Sequence, residues 1–243
     1  MTTYLLVHGA WAGGWIWGRV APILRKARHD VFTPTLTGLG ERAHLANPEI
    51  DLSTHIQDVV AVLECEDLKR VVLVGHSYGG MVITGVAERT AERLSHLVYL
   101  DAFVPQDGQS VADLVSPELA ASFEEGVRLS GDGWRIPPPT PEWSGVTDEA
   151  DQRWIEPRLK PQPIKTMFQP VRVSNAEAAE LPRTFVYCNN PARGTFDQFA
   201  SRARAEGWRY QVLSTGHAAN VTAPNQVADL LLELLGRGAT MMR

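Results

Sequence analysis

The chain has 243 residues, 44% hydrophobic and 21% charged, a balance that excludes collagen-like, coiled-coil and disordered chains. Its 23 Lys and Arg against 28 Asp and Glu leave a net charge of −5. That argues against nucleic acid as a partner, which needs a basic surface to replace counterions. Cys65 and Cys188 are the two cysteines, far apart and in no metal-ligand spacing, so no disulfide framework and no metal are expected, and a reducing compartment is the default.

The N-terminus Met1-Thr2-Thr3-Tyr4 lacks the basic region of a signal segment, and no run approaches the ~18 apolar residues of a membrane span. The expectation is a soluble cytoplasmic protein without a membrane partner, with monomer and homodimer both open. Residues 4–7 (Tyr-Leu-Leu-Val) read as a buried strand. A glycine-rich loop, His8-Gly9-Ala10-Trp11-Ala12-Gly13-Gly14-Trp15, follows it. After a second strand, the loop 35–42 carries Glu41 and Arg42, which read either as a surface ion pair or as a gate at a pocket edge. Residues 54–63 are predicted helical, because Ile56, Val59, Val60 and Leu63 share one face and Thr54 with Gln57 forms a capping box.

Residues 71–74, 97–100, 184–187 and 210–213 are apolar runs, the last two interrupted by Thr184 and Gln211, and read as strands covered on both faces in a parallel sheet. A last helix starts near Pro224 and presents Val227, Leu230, Leu231, Leu234 and Leu235 to the core. This alternation predicts an α/β fold with an open, doubly wound, mostly parallel sheet. Residues 105–170 break the rhythm with many prolines, helical patches near 117–129 and 147–159, and no convincing strand. A structureless loop of that length is implausible in a compact domain. It reads as a helical cap inserted between core segments 1–104 and 171–243.

Gly75-His76-Ser77-Tyr78-Gly79 is a G-x-S-x-G placed between the strand 71–74 and a helix from Gly80. A sharp turn there forces strained dihedrals on Ser77 and lifts its hydroxyl to the carboxyl edge of the sheet. Side chains at 75 and 79 would clash with neighbouring backbone. A serine hydroxyl needs a base, and His217, in Leu213-Ser214-Thr215-Gly216-His217 after the last strand, is the candidate. His8 is expected to bond locally, and His76 to point away from the pocket. The N–H groups of Ala10 and Tyr78 are the candidate donors for an oxyanion.

Together, the opening His-Gly-Ala-Trp-Ala-Gly-Gly-Trp, the elbow Gly-His-Ser-Tyr-Gly-Gly-Met and the final Thr-Gly-His resemble the α/β-hydrolase superfamily. The resemblance extends from Tyr4 to Leu235 and is strongest to bacterial esterases similar to plant methylesterases and hydroxynitrile lyases. It implies cofactor-free hydrolysis of a small ester-type substrate through an acyl-enzyme, under a helical cap. It also implies Ser77 as nucleophile, His217 as base, and Ala10 and Tyr78 as oxyanion donors.

The acid departs from the plant branch, whose carboxylate follows the strand equivalent to 184–187. Here that stretch is Cys188-Asn189-Asn190-Pro191-Ala192-Arg193, without a carboxylate. Asp197 comes later, where it would start a helix. The superfamily's second acid position, at the end of the strand after the nucleophile helix, holds Asp101, which is preferred over Asp197 and over a water-bridged arrangement.

The plant lyases use a threonine after the first-strand histidine and a lysine after the catalytic histidine. Gly9 and Ala218 stand there, which favours hydrolysis over lyase chemistry. A non-enzymatic receptor for a small ligand is the alternative of another class. Six of the seven tryptophans fall in the loop after the first strand or in the cap. Trp11, Trp134 and Trp154 are accordingly expected to touch the substrate, which favours a bulky apolar or aromatic one.

Overall fold

A computed structural model describes residues 1–130 and 132–236. In chain order the first half runs β1 (Thr3–Val7), α1 (Ala21–Lys26), β2 (Asp30–Phe32), α2 (Leu52–Cys65), β3 (Val71–His76), α3 (Gly79–Thr90) and β4 (Leu94–Leu100). Next come α4 (Val111–Leu114), α5 (Pro117–Ser130), β5 (Arg135–Ile136), α6 (Glu149–Ile155), β6 (Gln162–Pro163), α7 (Lys165–Phe168) and α8 (Ala176–Ala179). The chain then closes with β7 (Arg183–Cys188), α9 (Asp197–Ala205), β8 (Arg209–Leu213), α10 (Ala219–Thr222) and α11 (Pro224–Gly236).

Six strands form one sheet in the order β2-β1-β3-β4-β7-β8, and every neighbouring pair is parallel. Side chains alternate between two cores, as the two-residue period of a strand requires. Leu5, Val7, Leu73, Leu97 and Tyr99 face α2, α3 and α9, while Tyr4, Leu6, Val72, Val74, Val98 and Leu100 face α1 and α11. This is the doubly wound α/β arrangement that the apolar runs imply. In α11, Val227, Leu230 and Leu231 are buried and Leu234 is half-buried; the side chain of Leu235 and residues 237–243 lie outside the described residues.

Three local expectations need correction. Asp51, not Thr54, caps α2: its carboxylate accepts from the Thr54 N–H at 2.8 Å, and Thr54 is the third residue of the helix, completing the box from the other side. Gln57 instead accepts from Arg89 at 3.1 Å. Arg42 pairs with Asp58 at 3.2 Å rather than with Glu41, because Asp58 also holds the Thr37 N–H and hydroxyl of the same loop. Between 105 and 170 there are two short strands after all: β5 and β6 pair antiparallel, Ile136 opposite Gln162. Two-residue strands flanked by prolines carry no apolar run, and so leave no strand signal.

Among the described residues no helix is long and apolar enough to cross a membrane. Removing the α2 cap with Asp51→Ala is expected to cost about 1 kcal/mol of stability. Urea unfolding should show that loss.

Candidate active site

The site is assembled at the carboxyl ends of β1, β3 and β4 and on the loop after β8. At the end of β3 the chain reverses into α3 through Ser77, whose φ is +55°. Such a reversal needs glycine on either side. A Cβ on Gly75 would stand 2.6 Å from the Gly79 carbonyl oxygen, and one on Gly79 would stand 2.8 Å from that of His8. α3 is packed tightly behind the turn, with ten of its twelve residues buried. The half-buried Ser77 Oγ therefore projects from a rigid base.

Ser77 Oγ donates to His217 Nε2 at 2.9 Å, and His217 Nδ1–H donates to Asp101 Oδ2 at 2.7 Å. Asp101, fully buried at the end of β4, has φ +42°. Its other oxygen accepts the Cys188 N–H at 3.1 Å, and its own N–H reaches the Val186 carbonyl at 2.7 Å. β7, the strand beside it, thus fixes the carboxylate. Asp197 stands elsewhere: it opens α9 and accepts the Tyr187 hydroxyl. Between the two candidate acids, the structure brings only Asp101 to His217.

Neither the Ala10 nor the Tyr78 N–H has a protein hydrogen-bond acceptor among the described residues. Both flank Ser77, and both belong to tethered peptides. His8 Nδ1–H donates to the Gly9 carbonyl at 2.7 Å, while His8 Nε2 accepts the Leu36 N–H at 3.0 Å. Because C=O and N–H point oppositely across a trans peptide, drawing the Gly9 oxygen towards His8 turns the Ala10 N–H away from it. Tyr78 is tied by its hydroxyl, which donates to His55 Nδ1 at 3.0 Å, with His55 Nε2–H on the Thr37 carbonyl at 2.9 Å.

Ser77 opens on two apolar chambers that share Ala10, Trp11 and Trp143 in their walls. One runs past His217, Ile16, Pro139 and Leu159. The other runs past Tyr78, Phe103, Phe123, Met167 and Phe196. The segment 105–170 contributes to both. Its loop at Gly145 touches the loop that bears His217: a Cβ on Gly145 would stand 2.9 Å from Gly216 Cα, and the Ala218 N–H donates to the Ser144 carbonyl at 3.0 Å.

Residues 4–230 match the family described as "Alpha/beta hydrolase family". The chain belongs to the alpha/beta hydrolase family. The Carbendazim hydrolyzing esterase of Nocardioides sp. (strain SG-4G) is 40% identical over 96% of this chain and 100% of that one. Methylesterase 1 of Arabidopsis thaliana is 31% identical over 44% of this chain and 41% of its own. Among solved structures, an extracellular alpha/beta-hydrolase from a Paenibacillus species superposes with a TM-score of 0.82 at 27% identity, covering 96% of this chain and 98% of that one. The protein is thus an enzyme of the carboxylesterase-like, ester-bond-cleaving kind.

Within this hydrolase the tryptophans sort differently from their expected places. Trp11 does wall both chambers. Trp134 lies away from them, stacked under the Arg135 guanidinium at 4.8 Å. Trp154 is also outside, held between Arg19 and Arg158 at 4.9 and 5.2 Å and edge-on to Trp15. Trp143 takes the wall position instead, edge-on to Trp11 and to the His217 ring at 6.0 and 6.3 Å. Composition cannot separate these three, since a proline-rich segment without periodicity gives no facing for any side chain. His76 also departs from expectation. Its ring lies 4.7 Å from that of His217, and its Nε2–H donates to the His217 carbonyl at 2.9 Å, supporting that loop from beneath.

Burial dominates the electrostatics. It holds the His217 imidazole well below its ordinary value, and the Arg193 guanidinium acts in the same direction. Burial pushes the Asp101 carboxyl upward, while the Cys188 N–H and then the neighbouring His76 and Arg193 draw it back. His217 is accordingly neutral at rest, with a lone pair facing the Ser77 hydroxyl. Such a line can take a proton from Ser77 and hold it beside a carboxylate. Among the described residues no group of His, Cys, Asp and Glu is arranged to hold a metal ion.

A fluorophosphonate should react with Ser77 only while His217 is unprotonated. The labelling rate is therefore expected to fall on acidification with its midpoint below 6.5, the ordinary histidine value. Stopped-time labelling across a pH series measures that midpoint.

Proposed function

We propose that the hydrolase cleaves small carboxylic esters, and related carbamates, through an acyl-enzyme on Ser77. Ser77 Oγ attacks the substrate carbonyl as His217 Nε2 takes its proton. The new C–O bond turns the carbonyl oxygen into an oxyanion, which lies against the Ala10 and Tyr78 N–H groups. His217 then gives the proton to the leaving alcohol or amine as the bond to the acyl carbon breaks. Water, deprotonated by the same imidazole, attacks the acyl-enzyme, and the proton returns to Ser77 as the acid departs. Asp101 keeps His217 in the tautomer with hydrogen on Nδ1 and stabilises the imidazolium between the two steps.

The single observation that carries this reading is the line from Ser77 through His217 to Asp101, with spans of 2.9 and 2.7 Å, opening between two apolar chambers. Residues 105–170 serve as a cap over a core made of 1–104 and 171–243. The apolar walls suit a hydrophobic or aromatic substrate that divides between the chambers at its scissile bond. The 40% identical relative is named for hydrolysing carbendazim, an aromatic methyl carbamate, which makes that class the first to try. No cofactor takes part, and the two free cysteines suit a cytoplasmic setting.

A panel of aryl esters, methyl esters, lactones and carbendazim-type carbamates, with Ser77→Ala as the blank, tests the reading. Turnover by the parent chain and none by the blank is expected; full activity in Ser77→Ala would sink it. Asp101→Asn should lower kcat by about 10⁴-fold, the scale seen when the imidazole is left in the wrong tautomer. Asp197→Asn should stay within about two-fold of the parent, because its partner is Tyr187. The reverse ranking would move the acid to Asp197.

A further inference from the structure

We propose that Gln162, on β6, is a positioning residue that holds the Ala10 oxyanion donor in place from the cap side. Its side chain is fully buried, although nothing apolar in a glutamine repays that burial unless its amide is bonded. Gln162 Oε1 accepts the Trp11 N–H at 2.9 Å. Its Nε2–H donates to Thr166 Oγ1 at 2.7 Å, and that hydroxyl donates onward to the Pro163 carbonyl at 2.6 Å. The amide is thus locked at both ends, on a strand of two residues with a proline on either side of it.

The residue that Gln162 grips is in an unfavourable conformation. Trp11 has φ +61°, a region that a side chain of this bulk rarely enters. Three contacts from the same segment keep it there. Besides Gln162, the Lys160 N–H donates to the Trp11 carbonyl at 2.8 Å, and Trp11 Nε1–H donates to the Ile136 carbonyl at 3.1 Å. Ala10 therefore stands between two fixed peptide planes. His8 sets the plane before it, through the Gly9 carbonyl, and Gln162 sets the plane after it, through the Trp11 N–H. Without Gln162 the Trp11 N–H loses its acceptor, and the Ala10–Trp11 peptide is held only from beyond Trp11, by Lys160 and Ile136, so that it can tilt and Trp11 can shift towards negative φ. The Ala10 N–H then loses its aim at the oxyanion. Preorganisation of this kind acts on the transition state far more than on the bound substrate.

The inference rests on Ala10 being an oxyanion donor, as in the mechanism above, and the test separates the two. Gln162→Met keeps the length and removes the acceptor. Gln162→Glu keeps an oxygen for the Trp11 N–H and can accept the Thr166 hydroxyl. For Gln162→Met, kcat for an activated ester is expected to fall about 10- to 100-fold, short of the 10²–10³-fold loss of a whole donor. KM should change less than about two-fold, and affinity for an aryl trifluoromethyl ketone, whose adduct on Ser77 carries an oxyanion, should fall in step with kcat. Gln162→Glu should restore most of both. Equal losses in Gln162→Met and Gln162→Glu, or a rise in KM at constant kcat, would show Gln162 to be packing alone and overturn the proposal. If Gln162→Met does not fold, Thr166→Val frees the far end of the amide and should lower kcat at constant KM; unchanged kcat there also overturns it. Ser77→Ala, assayed alongside, reports on the mechanism itself: activity surviving in that variant would condemn the mechanism, independently of what Gln162 does.

Discussion

A carboxylate buried at the carboxyl end of a parallel sheet sets the terms for the rest of this molecule. Asp101 has no contact with water, and a buried ion without partners is disfavoured by several kcal/mol. Its needs are met by the His217 Nδ1–H and the Cys188 N–H. The first requires the loop after β8 to fold back across β7 and β4. The second requires β7 to lie beside β4 in the register that puts Val186 opposite Leu100. Strand order, register and loop path are therefore bound to one side chain. The same hydrogen bond that relieves Asp101 also turns the imidazole so that its other nitrogen meets Ser77.

Three of the six non-glycine residues with left-handed backbone among the described residues stand where these strands end. Trp11, Ser77 and Asp101 have φ of +61°, +55° and +42°, and each follows a strand of the central sheet closely: β1, β3 and β4. A non-glycine residue held there costs about 1–3 kcal/mol. The cost is borne by neighbours that leave no alternative: a fully packed α3 behind Ser77, β7 against Asp101, and the backbone of 136 and 160 with the side chain of Gln162 around Trp11. Relaxation at any of the three would swing a backbone N–H or a side chain out of the cleft. The rigid sheet supplies the directions, and the segment between β4 and β7 closes them off.

Much of this was legible in the chain itself. Four-residue apolar runs betray strands that are covered on both faces, and the doubly wound sheet follows from their alternation with amphipathic helices. Ser77 stood out because glycines at 75 and 79 are needed only where backbones come closer than a Cβ allows. Asp101 could be nominated because it directly follows a strand, and His217 because it sits on the loop after the last one, at the edge where a parallel sheet places its loops. The segment 105–170 was opaque for a physical reason. Its prolines remove periodicity, its elements are two to fourteen residues long, and the facing of Trp134, Trp143 and Trp154 depends on tertiary partners such as Arg19 and Arg135. Gln162 left no signal either, since a lone glutamine between prolines looks like a surface turn until its burial is known.

The seam at Gly145 and Gly216 bears on how anything reaches the serine. There a Cβ on Gly145 would stand 2.9 Å from Gly216 Cα and one on Gly216 3.0 Å from Gly145 Cα, and the Ser144 carbonyl is bonded to Ala218, next to the histidine. Swinging residues 105–170 aside would break this seam and pull His217 away from Ser77. Trp143, which walls both chambers at Ser77, is anchored to the same frame, edge-on to His217 and under the Arg193 guanidinium.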